Sequence, residues 1–471
     1  MVAIISTFVE SLDFTATLAT LVALLTAYIF YNVYLLPDYI SPFRLIPGPP
    51  NKSKHNKYHI PLLGLFLDIL REEVGVPFGQ WIEEYGDIVC YRALFNAQHV
   101  LVADPRAITH IFSTYAYQCP KPNRVIRLLG MSIGRDILLV EGDVHKRQRK
   151  MFNPAFSHNS VREMIPIMAS PAQFLSKMWE KLVEEAEDKS VEMNAVLELS
   201  ACTLDIIGLT GFGFDFKGLT RPGNDVVEAY NEYFSSKAPT ILQFFRHYVP
   251  YYSKLPLKHN RDRMQSVRSV ERVTRQIIQE KRTQAAGAIN GEEGKDLINI
   301  LIRANESSQG LSQTDDLKAQ ELFRIISTIH TTARVATEDD VIPGYRIPKG
   351  TEIYLSAATL HKLKSVWGED AEEFKPERWM DSAALTEEQR QTTKTVTPDM
   401  MWAYMPFLTG LRNCIGSKLT LMEIKVVLYY HLTNLEYHPV PGFKFRKSSR
   451  VNLRLSPGMN LIMTPFKDRT E

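Results

Sequence analysis

The stretch FLTGLRNCIG, residues 407–416, sets Cys414 between a basic residue and a glycine, immediately ahead of a helical pattern. Apolar residues recur after it at Ile415, Leu419, Met422, Val426 and Tyr429, the spacing of one helix face. Cys414 is therefore expected at a helix N-terminus. There, unpaired N–H groups and the positive end of the dipole favour thiolate over thiol. Arg412 adds a nearby cation. Gly410 permits a bend that a side chain resists, and Gly416 lets the helix approach something flat and large. A thiolate so presented suits a nucleophile or a metal ligand. The chain offers no convincing His/Asn context for a cysteine protease.

The rest of the chain narrows the class. Its 471 residues carry a net charge of +2, which argues against a general nucleic-acid binder. Cys90, Cys119, Cys202 and Cys414 are far apart and form no CxxC pair, so a zinc site or a disulfide framework is not expected. The first three read as small buried hydrophobes. Phe14 to Leu36 carries no charge and is long enough to span a bilayer as a single-pass anchor. Glu10 and Asp13 precede it, while Arg44, Lys52 and Lys54 follow, which directs the bulk of the chain to the cytosol. Residues 37–50 read as a stiff proline-rich hinge, and 51–471 as the main domain. Helical periodicity dominates. Short strand-like runs appear near 87–103 and 341–355. The fold class is mainly α with a small β component. GFGFDF (211–216) lacks the third glycine and the strand context of a dinucleotide fingerprint.

FxxGxRxCxG is the haem-binding signature of the cytochrome P-450 family, and FLTGLRNCIG matches every signature position. The resemblance implies haem b with Cys414 as the proximal iron ligand, Arg412 paired with a propionate, and Phe407 over the cysteine side of the macrocycle. FKPERW (374–379) resembles the family's PERF element, with Arg378 as its arginine. ELFR (321–324) supplies an ExxR; Glu321 and Arg324 share a helix face and would join Arg378 in a structural triad. Arg334 falls where the family places a propionate-binding arginine on a strand. In EGDVHKRQRK (141–150), His145 occupies the position of the family's tryptophan and Arg149 that of its arginine. Both are expected to reach a propionate; Lys146 and Lys150 read as a solvated basic face, or as help in docking an acidic electron donor. ILQFFRHYVPYYSKLP (241–256) reads as packed core or as a loop dipping into the membrane. YGDIVCYRALFN and HKRQRKMFNPAF resemble a fungal microsomal member, with secondary metabolism as the setting.

One hallmark is missing. The family's long helix over the distal haem face carries A/G-G-x-D/E-T-T/S, and no such run occurs here. LSQTDDLKAQ (311–320), with Ser312 and Asp315 as a capping box, reads as the opening of that helix, and ELFR follows at once. The pattern predicts a cytochrome P-450 fold that is incomplete, with an internal deletion near 320/321. A block of even 30 helical residues would span about 45 Å. The implied function is monooxygenation of a lipophilic molecule with O2 and NADPH-derived electrons from NADPH–cytochrome P-450 reductase, at the endoplasmic reticulum membrane. The alternative is a non-catalytic or mis-spliced membrane-anchored remnant.

Overall fold

A computed structural model describes residues 14–52, 61–133, 136–220, 252–287, 330–381, 385–449 and 453–466. They divide into two compact units. One contains residues up to Pro120, His330–Glu372 and Thr397–Tyr404; the other contains Lys121–Ile329, Glu373–Val396 and Met405 onward. Glu321, Arg324, the capping box and most of the aromatic segment lie outside the described residues.

The first unit starts with helix α1, Phe14–Phe30. Within the Ala16–Ile40 span, mean hydropathy is 1.7 and almost nothing is buried against protein. The chain then widens into a π-helical stretch, Tyr31–Ile40, around Pro37. The unit's main sheet runs in the order 88–92, 98–102, 352–355, 332–335. The first two strands form an antiparallel hairpin with Arg92 opposite Gln98. Residues 98–102 then pair in parallel with 352–355, and Arg334 lies opposite Ile353. Strand-like sequence at 87–103 and 341–355 thus becomes strand. Over the sheet pack Phe78, Trp81, Tyr91 and Tyr354, with ring centroids 5.2–5.9 Å apart where they meet. These rings and Val89, Val100 and Leu101, all fully buried, supply the hydrophobic driving force.

The proline-rich hinge is not a free spacer. Pro37, Ser41 and Ile46 are buried, the Cys90 amide donates to the Pro47 carbonyl at 2.9 Å, and a Cβ on Gly48 would overlap the Cys90 carbonyl. Prolines stiffen this segment; backbone pairing with a strand edge fastens it.

The second unit is helical. Helix α2, Gly142–Phe152, is basic and buries only His145. Helix α3, Ile165–Glu185, buries Met168, Pro171, Ala172, Leu175, Ser176, Trp179 and Val183, an i, i+3, i+4, i+7 stripe. Helix α4, Ala195–Ile207, buries Cys202 and Ile206. Helix α5, Ser417–Asn434, is the helix expected after Cys414; its Val426 and Val427 join α3 and α4 in one core. A three-stranded sheet, 191–194, 460–465 and 435–439, closes that core.

Candidate active site around Cys414

The cysteine loop is shaped by its backbone. Gly410 has φ 75°, a conformation costly for other residues, and Leu408 has φ 59° despite its side chain. Residues Gly410–Arg412 make one 3-10 turn. The Cys414 amide then donates to the Phe407 carbonyl at 2.8 Å, closing the loop. Gly416 caps α5. A Cβ on Gly416 would meet only Phe156 Cε1 at 3.9 Å and Cys414 Sγ at 4.0 Å. Among the described residues no clash demands glycine here, which leaves room beside the sulfur for a flat group lying against the loop.

Cys414 is exposed as a residue, yet the atoms around its sulfur desolvate it. That desolvation pushes the thiol above its ordinary pKa, against the opposing pull of the Gly416 amide and the Arg149 guanidinium. The thiolate preference expected from the helix terminus is therefore not met by the polypeptide alone. A coordinated cation reverses that balance by deprotonating the thiol outright.

Two arginines brace the loop instead of standing open. Arg412 is almost fully buried and ion-pairs with Glu141, while its Nη2 donates to the Val140 carbonyl at 2.6 Å. The expected propionate partner of Arg412 is thus preceded by an internal carboxylate, because the turn before α2 comes up against the loop. Arg149 donates to Asn153 Oδ1 at 3.0 Å, to Asn413 Oδ1 at 2.7 Å and to the Asn413 carbonyl. It therefore grips the residue next to Cys414. His145, 3% exposed, is held below the usual imidazole pKa by burial and by the cations Lys121 and Arg149, so it is neutral at pH 7. Phe407 is half-buried. Arg378 is fully buried in the 3-10 turn Pro376–Trp379; its proposed partners fall outside the described residues.

Arg334 belongs to the other unit. It is 2% exposed, and its Nη1 donates to Thr332 Oγ1 at 2.9 Å and to the Ala333 carbonyl at 2.8 Å. Its guanidinium lies over the Phe112 ring, 4.7 Å from the centroid. Burial pulls it down to about 10, with only the Cys119 sulfur pushing the other way. Among the described residues it has no carboxylate ion pair. A buried cation in that condition fits an anionic ligand such as a porphyrin propionate. Within its own unit, the Cys414 loop presents a sulfur beside the uncrowded Cβ position of Gly416, a donor compatible with haem iron.

Sequence reasoning missed Glu141 and Asn413. Asn413 adjoins Cys414, and Glu141 heads the basic EGDVHKRQRK run, but neither carries a spacing signal that names its partner.

Comparison with known proteins adds two findings. The Cytochrome P450 family model matches residues 55–320 and 318–460. The relatives found include Cytochrome P450 monooxygenase 205 of Postia placenta, 26% identical over 499 residues, covering 87% of this chain and 89% of the relative. Cytochrome P450 monooxygenase ALT8 of Alternaria alternata is 26% identical over 540 residues, covering 90% and 88%. Cytochrome P450 monooxygenase sphH of Aspergillus fumigatus is 24% identical over 488 residues, covering 87% of each.

Proposed function

The chain belongs to the cytochrome P450 family, and we propose that it is a membrane-anchored haem-thiolate monooxygenase of a lipophilic small molecule, fed NADPH-derived electrons by a reductase. Haem held by a thiolate supplies dioxygen binding and insertion of one oxygen atom into a C–H bond. The protein's own residues do the rest. Cys414 offers the sulfur ligand beside the open space at Gly416. Arg149 and Asn413 fix the loop that carries it, and Arg334 offers buried positive charge to a propionate. Lys146 and Lys150, on the exposed side of α2, present charge to an acidic reductase. The continuous helical stretch Ala16–Ile40 is long and apolar enough to cross a membrane, which supports a membrane anchor at residues 14–36; the endoplasmic reticulum as its location rests on the family resemblance.

The observation that carries this reading is the Cys414 loop, closed on the Phe407 carbonyl, with only the sulfur and Phe156, among the described residues, near the Cβ position of Gly416. The test is the reduced, CO-bound absorption spectrum of the full-length chain. A thiolate-type Soret band is expected, and its loss in Cys414→Ser. An unchanged spectrum in Cys414→Ser refutes the assignment.

A second reading has its own support. The family model matches in two stretches that meet at 318–320, beside the expected deletion at 320/321. The alignment to the Postia relative, at 499 residues, exceeds the whole 471-residue chain, of which 87% takes part. The relative therefore carries residues this chain lacks. On that reading the acid–threonine pair that manages protons is absent, and the chain is leaky or non-catalytic. Peroxide released per NADPH consumed separates the two: tight coupling to product excludes a deletion that matters.

A further inference from the structure

Glu141 stands immediately before the first residue of α2, where a side-chain oxygen ordinarily binds the open amides of the first turn. It makes no such capping bond. Its carboxylate turns to the Cys414 loop instead and divides its two oxygens. Oε1 accepts from the Lys121 amide at 3.2 Å, with Lys121 Nζ 4.0 Å away. Oε2 pairs with Arg412 Nη1. All three residues belong to the helical unit.

The two ends of the Glu141–Arg412 pair differ in what they can do without it. The Arg412 side chain is 2% exposed. A guanidinium so placed cannot fall back on water, and a buried charge left without its counter-charge is costly. The Glu141 side chain is 24% exposed. Its other oxygen is already held by Lys121, and it stands at a helix N-terminus, where negative charge is favoured. Glu141 can therefore leave Arg412 at small cost, whereas Arg412 can release Glu141 only to another anion.

We propose that Glu141 is a placeholder for a cofactor propionate. It neutralises Arg412 in the haem-free fold and gives Arg412 up, keeping Lys121, when haem enters. This rests on the haem reading above. It adds that the chain sets a carboxylate of its own against the cofactor's, which keeps a buried arginine neutralised before loading and lowers the affinity for haem.

Competition has a signature that bracing lacks. A carboxylate that holds Arg412 only before loading stabilises the haem-free state alone, so removing its charge raises the net affinity for haem. A carboxylate that braces the loop in both states leaves that affinity unchanged when removed, or lowers it.

The test compares the full-length chain with Glu141→Gln, which loses the charge and keeps an acceptor for the Lys121 amide. Each chain, in detergent, is brought to equilibrium with apomyoglobin and limiting porphyrin. Iron protoporphyrin IX is used first, then its dimethyl ester, whose propionates carry no charge. Soret spectra read the partition. Glu141→Gln is expected to shift iron protoporphyrin IX toward the chain about tenfold, the size of one hydrogen bond to a charged group. The partition of the ester is expected to stay where it is, and the haem-free variant to unfold at a lower temperature than the parent. Iron protoporphyrin IX that does not move, or moves toward apomyoglobin, refutes the placeholder and leaves haem binding standing. An equal gain with the ester also refutes it, because a charged propionate then plays no part. Where Glu141→Gln fails to fold without haem, its haem content on expression decides: a folded, loaded variant supports the placeholder, and a chain folded in neither state refutes it. A parent chain that takes up neither porphyrin refutes the haem reading, and the placeholder with it.

Discussion

Arg334→Met separates a ligand-binding arginine from a structural one, because the first role puts the loss in haem retention and the second puts it in the stability of the haem-free fold. Burial lowers the Arg334 pKa from 12.5 to about 10. At about 1.4 kcal/mol per unit, that is a desolvation cost of about 3 kcal/mol carried by the haem-free fold at neutral pH. It is relieved only as pH rises through about 10. Replacement by methionine removes this cost. It also removes the bonds to Thr332 and Ala333, worth about 1 kcal/mol each, and the contact with Phe112, worth about 1 kcal/mol. The haem-free variant should therefore unfold within about 1 kcal/mol of the parent chain, where most buried-polar deletions lose more. With haem bound, the same change forfeits charge-assisted bonds to a propionate. A loss of about 1.5–3 kcal/mol makes haem dissociate roughly 10- to 100-fold faster. Denaturant unfolding of the haem-free chain in detergent gives the first quantity, and transfer of haem to apomyoglobin gives the second. A variant whose haem-free form is destabilised by several kcal/mol, or whose haem loss is unchanged, refutes the reasoning.

Three further outcomes follow from single contacts. Asn413→Ala removes the acceptor of Arg149 Nη2 beside Cys414 and should weaken haem retention about tenfold, for roughly 1.5 kcal/mol of charge-assisted bonding, with little change in global unfolding; the same haem-transfer assay reads it. Glu423, 8% exposed and raised from 4.5 to about 7 by burial, must ionise inside the fold as pH climbs, so its contribution is full below about 4.5 and lost through about 7. Glu423→Gln should gain about 3 kcal/mol at pH 8 and nothing at pH 4, measured as unfolding midpoints across pH; equal gains at both ends contradict the linkage. Gly48→Ala forces a Cβ onto the Cys90 carbonyl and should cost about 1–3 kcal/mol, visible as a lower thermal midpoint; an unchanged midpoint contradicts the docking of residues 47–48 on the strand edge.

His431 shows why the acid response needs more than one group. Burial pulls it down to about 4, so its contribution is full above about 6.5 and lost as pH falls toward 4. Glu423 and His431 lie on the same helix α5 and both are buried, and their contributions run in opposite directions over nearly the same interval. The parent chain should show a shallow pH dependence there, and Glu423→Gln should expose the acid-side fall due to His431.

What could be read from the chain alone divides along a physical line. The Cys414 loop was legible because its determinants are local: Gly410 where φ must be positive, a cysteine two residues ahead of the helix cap, and an apolar periodicity that announces α5. The strands near 88–102 and 340–355 were legible for the same reason. Partnerships across long sequence separations were not. The basic run of α2 reads as a solvated face because charge on a helix usually is one. Nothing in the spelling of EGDVHKRQRK says that Glu141 meets Arg412 or that Arg149 meets Asn413. Pro37 is a sharper case. The missing N–H is certain from the residue type, yet the chain's answer, a π-helical widening over Tyr31–Ile40 in place of a kink, depends on a fold. The thiolate expectation failed on a related ground. Helix termini and neighbouring cations are sequence features, whereas desolvation of a sulfur is set by whatever packs around it. A terminus signal therefore gives the sign of one contribution to a cysteine's acidity and leaves the net sign to the packing and to the ligand.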